Sequence, residues 1–319
     1  MKISLEECAK ILKSVDNVVI LLHHFPDGDT IGSGHALCKA LQKLNKNVRV
    51  ECADKIGKQY GFITKNFTFS DFEPDFVVAV DVADKRLLGS IADKYPNVDL
   101  CIDHHGTNTN YAKKTFVDAK SAAACEIVYE LCKLLGGVDL LQAAALYTGI
   151  STDTGCFKYS NTTAKTHRIV ADLMDMGIDY SEINRIMFDT KSVSRLQVEK
   201  DAINSIKYYC GGKVAIMTIT KESRIKSGAC DSELDGITGL PRTIEGVILG
   251  ITIRERDDTN ICKISARSNA PVSALDFCAK FGGGGHERAA GCEIKENKEK
   301  ALELLSKAAQ NMFEELGIK

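Results

Sequence analysis

A chain of 319 residues, 44% hydrophobic and 26% charged with only 5 prolines, is long enough for two globular domains and too ordinary in composition for a disordered or low-complexity protein. Its 41 basic and 43 acidic residues leave a formal charge of −2, which argues against gripping long nucleic acid through many phosphates and in favour of a small or locally held anion. Twelve cysteines without any Cys-x-x-Cys spacing read as buried thiols in a reducing cytoplasm, not as disulfides or a zinc site.

Residues 1–14 carry Glu6, Glu7, Lys10 and Lys13 among apolar positions, the pattern of an amphipathic helix and not of a signal peptide. No later run of roughly 18 apolar residues occurs, so no membrane partner is expected. Residues 17–22 form a continuous β-branched apolar run, the signature of a strand buried on both faces of a parallel sheet. That run enters a loop carrying His23, His24, Asp27 and Asp29. Ile31, Leu37, Ala40, Leu41 and Leu44 then recur at helical spacing, with Asp29 or Thr30 placed to cap the helix and Gly32, Ser33 and Gly34 small enough for close packing.

Further strands are expected at 47–51, at 76–80 ending on Asp81, and at 98–102 ending on Asp103, His104 and His105. Arg86 opens a short helix, and Asp81 alone could equally be a helix cap. Helices follow at 121–135, 139–150, 163–176 and 180–188. The second of these leads to Asp153, which is open to two readings: an exposed turn residue, or a carboxylate whose place near a helix C-terminus is compensated by a cation. A polar helix at 192–206 reads as a linker. Beyond it, strands at 213–220, 245–254 and 260–266 with meander-like spacing, a helix at 271–281, a glycine-rich loop at 282–288, a short strand and a last helix at 297–316 make a smaller α+β domain. The expected organisation is a catalytic domain at 1–190, a linker at 191–207 and a substrate-binding domain at 208–319.

His23, Asp27, Asp29, Asp81, His104 and Asp153 make a donor set of mixed carboxylate and imidazole, enough for two divalent ions. Hard carboxylates with a minority of imidazoles favour Mn²⁺, with Mg²⁺, Co²⁺, Fe²⁺ or Zn²⁺ chemically compatible. Two such ions about 3.5–4 Å apart activate water and clamp the attacking and leaving oxygens of an in-line phosphoryl displacement, so phosphoester hydrolysis is the natural reaction.

His23-x-x-Pro26-Asp27-x-Asp29, the strand-end Asp81, the Asp103-His104-His105 triplet and Gly149-x-x-x-Asp153 resemble the four motifs of the DHH phosphoesterase family in order. Residues 282–286, four glycines and His286, preceded by Ser265, Arg267 and Ser268, resemble the C-terminal domain that accompanies many members. The resemblance covers nearly the whole chain. It implies a parallel-sheet α/β domain with helices on both faces, a smaller α+β domain, and an active site in the cleft between them. By motif, it implies that His23, Asp27, Asp81 and Asp153 hold one metal while Asp29, Asp81, His104 and Asp153 hold the other. Asp103 would support His104 from behind, and His105 would face the phosphate as charge stabiliser or proton donor. His24 has no place in the motif.

In the second domain Gly283, Gly284 and Gly285 would let backbone N–H groups approach an anion, with Ser265, Arg267, His286 and Arg288 suited to phosphate or base contacts; a plain flexible hairpin is the alternative. The resemblance is to the nanoRNase/pAp phosphatase group. It implies hydrolysis of short oligoribonucleotides and of 3′-phosphoadenosine 5′-phosphate (pAp), with cyclic di-AMP or pApA hydrolysis as the close rival. An inorganic pyrophosphatase, a processive exonuclease and a non-catalytic nucleotide sensor fit less well. No stable long nucleic-acid partner is expected, and homodimerisation is left open.

Overall fold

Every residue of the first apolar runs has a burial duty, because the sheet they form is covered on both sides. In the computed structural model, which describes residues 1–230, 233–234, 236–256 and 260–318, strands β1 (Asn17–Leu21), β2 (Asn47–Glu51), β3 (Phe76–Val80), β4 (Leu100–Asp103) and β5 (Lys114–Val117) form a five-stranded sheet of order β2-β1-β3-β4-β5. All its pairings are parallel. Val18, Ile20, Val78, Val80, Leu100 and Ile102 face one core. Val19, Leu21, Val77, Ala79 and Cys101 face a second, smaller one. Alternate residues thus serve opposite cores, which is why these strands read as unbroken hydrophobic runs.

The larger core is roofed by helices α1 (Leu5–Ser14), α2 (Gly28–Lys43), α3 (Ala124–Leu134), α4 (Leu140–Asp153) and α5 (Ala164–Asp175), with the short α6 (Tyr180–Asn184) at its edge. The smaller core is closed by brief helical turns at Lys85–Leu88 and Ile91–Lys94. Ser4 with Glu7 and Asp139 with Gln142 form capping boxes at α1 and α4. Each such cap stabilises its helix by about 1 kcal/mol. The chain leaves β1 to one side to make β2 and returns on the other side as β3. This switch point opens a crevice at the strands' carboxyl ends, the place where open α/β sheets put their ligands.

Packing divides the chain into Met1–Thr190 and Lys191–Lys319. The second unit is built on a six-stranded sheet of order β10-β11-β9-β8-β7-β6, from β6 (Lys207–Tyr209), β7 (Val214–Ile219), β8 (Leu249–Glu255), β9 (Cys262–Ser268), β10 (Gly284–His286) and β11 (Ala289–Ile294). One face is buried under α9 (Ala274–Ala279) and α10 (Lys298–Glu315) through Phe277, Ala301, Leu305 and Phe313. On the other face α7 (Val193–Asn204), the helix read as a linker, packs Val198 and Ala202 on Met217 and Ile219 of β7. Among the described residues no helix is long and apolar enough to cross a membrane, and all twelve cysteines are free thiols.

Four expectations from the sequence change. The strand spacing read as a meander conceals a parallel pair, β7 with β8, whose connection carries helix α8 (Lys221–Ser227). The helix expected at 271–281 is confined to Ala274–Ala279, where Ser273 caps it by accepting from the Asp276 N–H. The glycine run is not a free loop: Gly284, Gly285 and His286 pair with Gly291, Ala290 and Ala289. Gly285 sits at φ +142°, and a Cβ there would lie 2.6 Å from the Ala289 carbonyl, so glycine is required for the hairpin to close. Finally, α2 is capped neither by Asp29 nor by Thr30. Asp27 does so, its carboxylate accepting from the N–H groups of Asp29 at 3.0 Å and Thr30 at 3.2 Å. Thr30 instead donates its hydroxyl to the Val80 carbonyl at the end of β3.

Candidate metal centre and anion cavity

Three consecutive strand ends deliver the first ligand candidates. His23 follows β1, Asp81 follows β3, and Asp103 closes β4. Asp81 takes a left-handed backbone at φ +60°, a conformation aspartate tolerates better than most residues, which bends the chain sharply out of the strand. It is not a helix cap, since Asp84 caps the next turn. Its carboxylate lies with Oδ2 3.6 Å from His23 Nε2 and Oδ1 3.5 Å from His104 Nε2. Asp81 is 3% exposed, and its Oδ1 is buried without a hydrogen-bond partner.

Helices supply the rest, and close approach between them makes this possible. A Cβ on Gly32 of α2 would lie 2.3 Å from the Ala145 carbonyl of α4, and one on Gly149 would lie 2.2 Å from Cys125 Sγ and 3.0 Å from the Asp29 Cα. With hydrogens there instead, α4 passes against α2 and ends on Asp153. Its carboxylate comes within 3.7 Å of His104 Nε2. Asp29 Oδ2 lies 3.8 Å from the same nitrogen. Asp153 is thus a half-buried carboxylate at the end of α4 beside His104, and not an exposed turn residue.

Each imidazole is oriented through its Nδ1. Against burial, which lowers it, Asp27 and Asp81 push the His23 pKa up to about 11; its Nδ1 lies 2.8 Å from the His24 carbonyl, which can only accept, so Nδ1 carries a proton and Nε2 faces the two carboxylates. His104 repeats this more loosely, with Nδ1 3.3 Å from the Ser121 carbonyl. His105 differs: its Nδ1 donates to Asp103 Oδ1 at 2.8 Å. Asp103 is fully buried, also accepts the His104 backbone N–H at 2.8 Å and the Asn108 amide at 2.6 Å, and so orients the ring of His105 rather than that of His104 as the sequence suggested. His24 stacks on Phe25 outside this network.

Electrostatics test whether a cation suits the cluster. Burial and the neighbouring Asp29 push Asp81 well above the usual carboxylate range. The same two causes push Asp153 up to about 7. Burial and Asp27 push Asp29 up to about 6, despite the Ala124 and Cys125 N–H groups at 2.6 and 2.8 Å that favour its ionised form. Four carboxylates in so small a volume repel one another, and a bound cation would relieve them. The ligand atoms of His23/Asp27/Asp81, of Asp81/His104/His105 and of Asp29/His104/Asp153 each lie within 4.8 Å of one another. These residues can hold a metal ion, with Asp81 and His104 each shared between two of the groups.

In the second unit a cavity of about 680 Å³ lies over β9, β10 and β11. Ser265, Arg267, Gly284 and Gly285, four of the residues singled out from the sequence, line it. Gly283, His286 and Arg288 are not among its lining residues. Arg288 donates to the Val272 carbonyl at 2.8 Å and pairs with Glu287 at 2.8 Å, contacts that fasten the hairpin to the chain just before α9. Arg254, Lys263 and Phe281 also line the cavity, and sequence reasoning passes over them. The alternation Lys263-x-Ser265-x-Arg267 along one strand is the signal that could have found the lysine. In the first unit the residues that sequence reasoning misses are Asn108, Ser121 and the amides of Ala124 and Cys125.

Residues 17–178 match the DHH family N-terminal domain, and residues 211–315 match the DHHA1 domain. A protein of Thermus thermophilus named bifunctional oligoribonuclease and PAP phosphatase NrnA is 33% identical over 90% of this chain and 87% of its own length. A protein of the same name from Mycoplasma genitalium is 28% identical over 93% of this chain and 94% of its own. Among solved structures, an exopolyphosphatase-related protein from Bacteroides fragilis superposes with a TM-score of 0.87 at 26% identity, covering 98% of this chain and 96% of that one.

Proposed function

The chain belongs to the DHH family, and we propose that it is a metal-dependent phosphoesterase that hydrolyses short oligoribonucleotides and pAp. The observation that carries the reading is the buried, unpartnered Asp81 Oδ1 at the meeting point of two imidazoles and three further carboxylates. A structural role leaves such an oxygen a net cost, whereas a cation satisfies it. The names of the relatives with which it shares nine-tenths of its length supply the substrate class.

His23, Asp27, Asp29, Asp81, His104 and Asp153 would hold the metal, as two ions with Mn²⁺ the first choice. Bound there, divalent metal lowers the pKa of water and neutralises charge on the phosphoryl group. The remaining work falls to the chain's own groups. Asp103 holds the His105 ring through Nδ1 and pushes its pKa up to about 9, which favours the protonated ring whose Nε2–H can donate. Facing a phosphate oxygen, that proton stabilises the charge that grows in the transition state; passed to the leaving oxygen, it completes the exchange in which water oxygen binds phosphorus and the P–O ester bond breaks. In the second unit Arg267 and Ser265 would hold a phosphate or base, with Phe281 as an apolar wall. The domain division of the reading is a catalytic part at 1–190, a helix at 191–207 and a substrate-binding part at 208–319.

Turnover of pAp, pApA, a five-nucleotide RNA and cyclic di-AMP, measured after chelation and again with added Mn²⁺, tests the reading. Hydrolysis of pAp and the short RNA restored by Mn²⁺ is the expected result. Turnover of cyclic di-AMP alone would transfer the assignment to a cyclic dinucleotide phosphodiesterase, and no turnover of any of the four would overturn it.

A further inference from the structure

The turn that follows β1 contains one residue that neither the ligand set nor the fold accounts for. Phe25 takes a left-handed backbone at φ +54°, a conformation that glycine, asparagine or aspartate adopts at much lower cost than an aromatic residue. It is 69% exposed, so hydrophobic burial offsets little of that cost. The turn itself needs the sharp bend, because His23 before it and Asp27 after it bring their ligand atoms together with Asp81. It does not need phenylalanine. A bulky ring kept in a strained, solvent-open conformation between two candidate ligands points to something that the ring meets there.

The conformation is held from three neighbouring strand ends. The Phe25 N–H donates to Asp54 Oδ2 at 2.8 Å, in the segment after β2. The His24 N–H donates to the Leu87 carbonyl at 2.7 Å, in the turn after β3. The His24 ring lies 4.6 Å from the Phe25 ring and is inclined to it by 45°. Gly89 closes on His24 from behind, so near that a Cβ there would lie 3.2 Å from the His24 Cβ. The Phe25 ring is thus backed by a fixed imidazole and otherwise largely open to solvent.

Phe25 stands two residues from each of His23 and Asp27, so its Cα lies within about 7 Å of theirs. A nucleotide carries its base one sugar away from its phosphate, which makes an aromatic face at this place a natural seat for the base when the phosphate is at the metal. Every base has a π-face, and an uncharged ring adds affinity without adding charge to crowded carboxylates. We propose that Phe25, backed by His24, is a stacking platform for the base of the nucleotide whose phosphate enters the metal centre, and that it makes the first unit select nucleotides over phosphoesters that carry no base. The platform rests on the reading above that this centre hydrolyses nucleotide phosphoesters.

The test uses the full chain and compares, with Mn²⁺, turnover of pAp and of the same bisphosphate without its adenine. Phe25→Ala and Phe25→Gly, the second of which suits the left-handed backbone better than the native residue, should raise KM for pAp by about ten-fold with kcat nearly constant and leave KM for the base-free compound unchanged. Phe25→Trp should restore the KM for pAp. Binding is read separately, with Ca²⁺ in place of Mn²⁺, from the emission of pAp carrying 2-aminopurine as its base, which stacking quenches; the quenching should be present in the wild type and Phe25→Trp and lost in the other two. An unchanged KM for pAp, an equal loss for both compounds, or a Phe25→Trp that restores nothing would overturn the platform. If quenching depends on Phe25 but the wild type hydrolyses neither compound, the platform stands and the assigned activity falls. If pAp is hydrolysed with a KM indifferent to Phe25, the activity stands and the platform falls. A wild type with neither quenching nor turnover would remove both.

Discussion

The two sheets place polar chemistry in opposite ways. In the first unit Asp29, Asp81 and Asp103 lie almost wholly out of solvent at the ends of buried elements, where each ionised carboxylate carries a desolvation cost that only hydrogen bonds or a cation can offset. In the second, Lys263, Ser265 and Arg267 stand on an open strand face at little cost to folding. Stored electrostatic strain suits a site that must bind a metal and act on it, and solvated cations suit one that must catch and release an anion. Substitutions should therefore affect the first region steeply and the second gradually.

The largest expected effect is at Asp81. Replacing it by Asn keeps the shape and removes the charge shared by two ligand groups, so kcat/KM should fall by at least about 1,000-fold with Mn²⁺ present; activity within ten-fold of wild type would show that the buried carboxylate is not a metal ligand. Next comes Asn108, which touches no ligand atom but holds Asp103 Oδ2. Asn108→Ala should lower kcat by about ten-fold through a loosened His105 while leaving Mn²⁺ affinity nearly unchanged, a split that calorimetric metal titration beside steady-state kinetics would resolve.

In the second region the expected loss is smaller and lies in KM. Arg267→Ala should raise KM for pAp by about ten-fold with kcat nearly constant, and an unchanged KM would mean that the cavity does not take the substrate's charge. The smallest effect concerns pH. Burial holds His35 below its ordinary pKa, with Nδ1 donating to the Ile31 carbonyl at 2.8 Å. Unfolded chains take up that proton near pH 6.5 and the folded protein resists it, so this histidine's contribution to stability is complete above that pH and is lost as pH falls below it. Urea melts at pH 7.5 and 5.5 should show the wild type losing more stability than His35→Gln, by at most about 1.4 kcal/mol per pH unit.

Much of the first unit is legible in the sequence alone. Strands β1, β3 and β4 stand out because burial on both faces confines polar residues to the ends of each apolar run, and His23, Asp81 and His104 follow those runs. What the sequence hides has physical reasons. Strand β5 lies at the sheet's edge and mixes Lys114 and Thr115 with Phe116, so its run is too broken to register. Strand β10 is built largely of glycine, which has no side chain to alternate. The direction of β8 relative to β7 leaves no trace in periodicity. Asp27 reads as a ligand, but its second task as a cap is invisible because Asp27, Asp29 and Thr30 are equally good caps on paper. Backbone amides, which hold Asp29, carry no side-chain signature.

Those amides have a consequence of their own. Helix α3 begins at Ala124 with Ala123 as an N-cap that offers no side-chain hydrogen bond, and its first N–H groups are taken by a carboxylate from 95 residues earlier in the chain. The start of α3 is thus anchored by another helix, and the anchor is itself a candidate ligand. The amide protons of Ala124 and Cys125 become built-in reporters: their exchange with solvent should slow when Asp29 is locked in place and quicken when it is released. A spectroscopist could watch the loading of the centre from two backbone positions that never touch the ion.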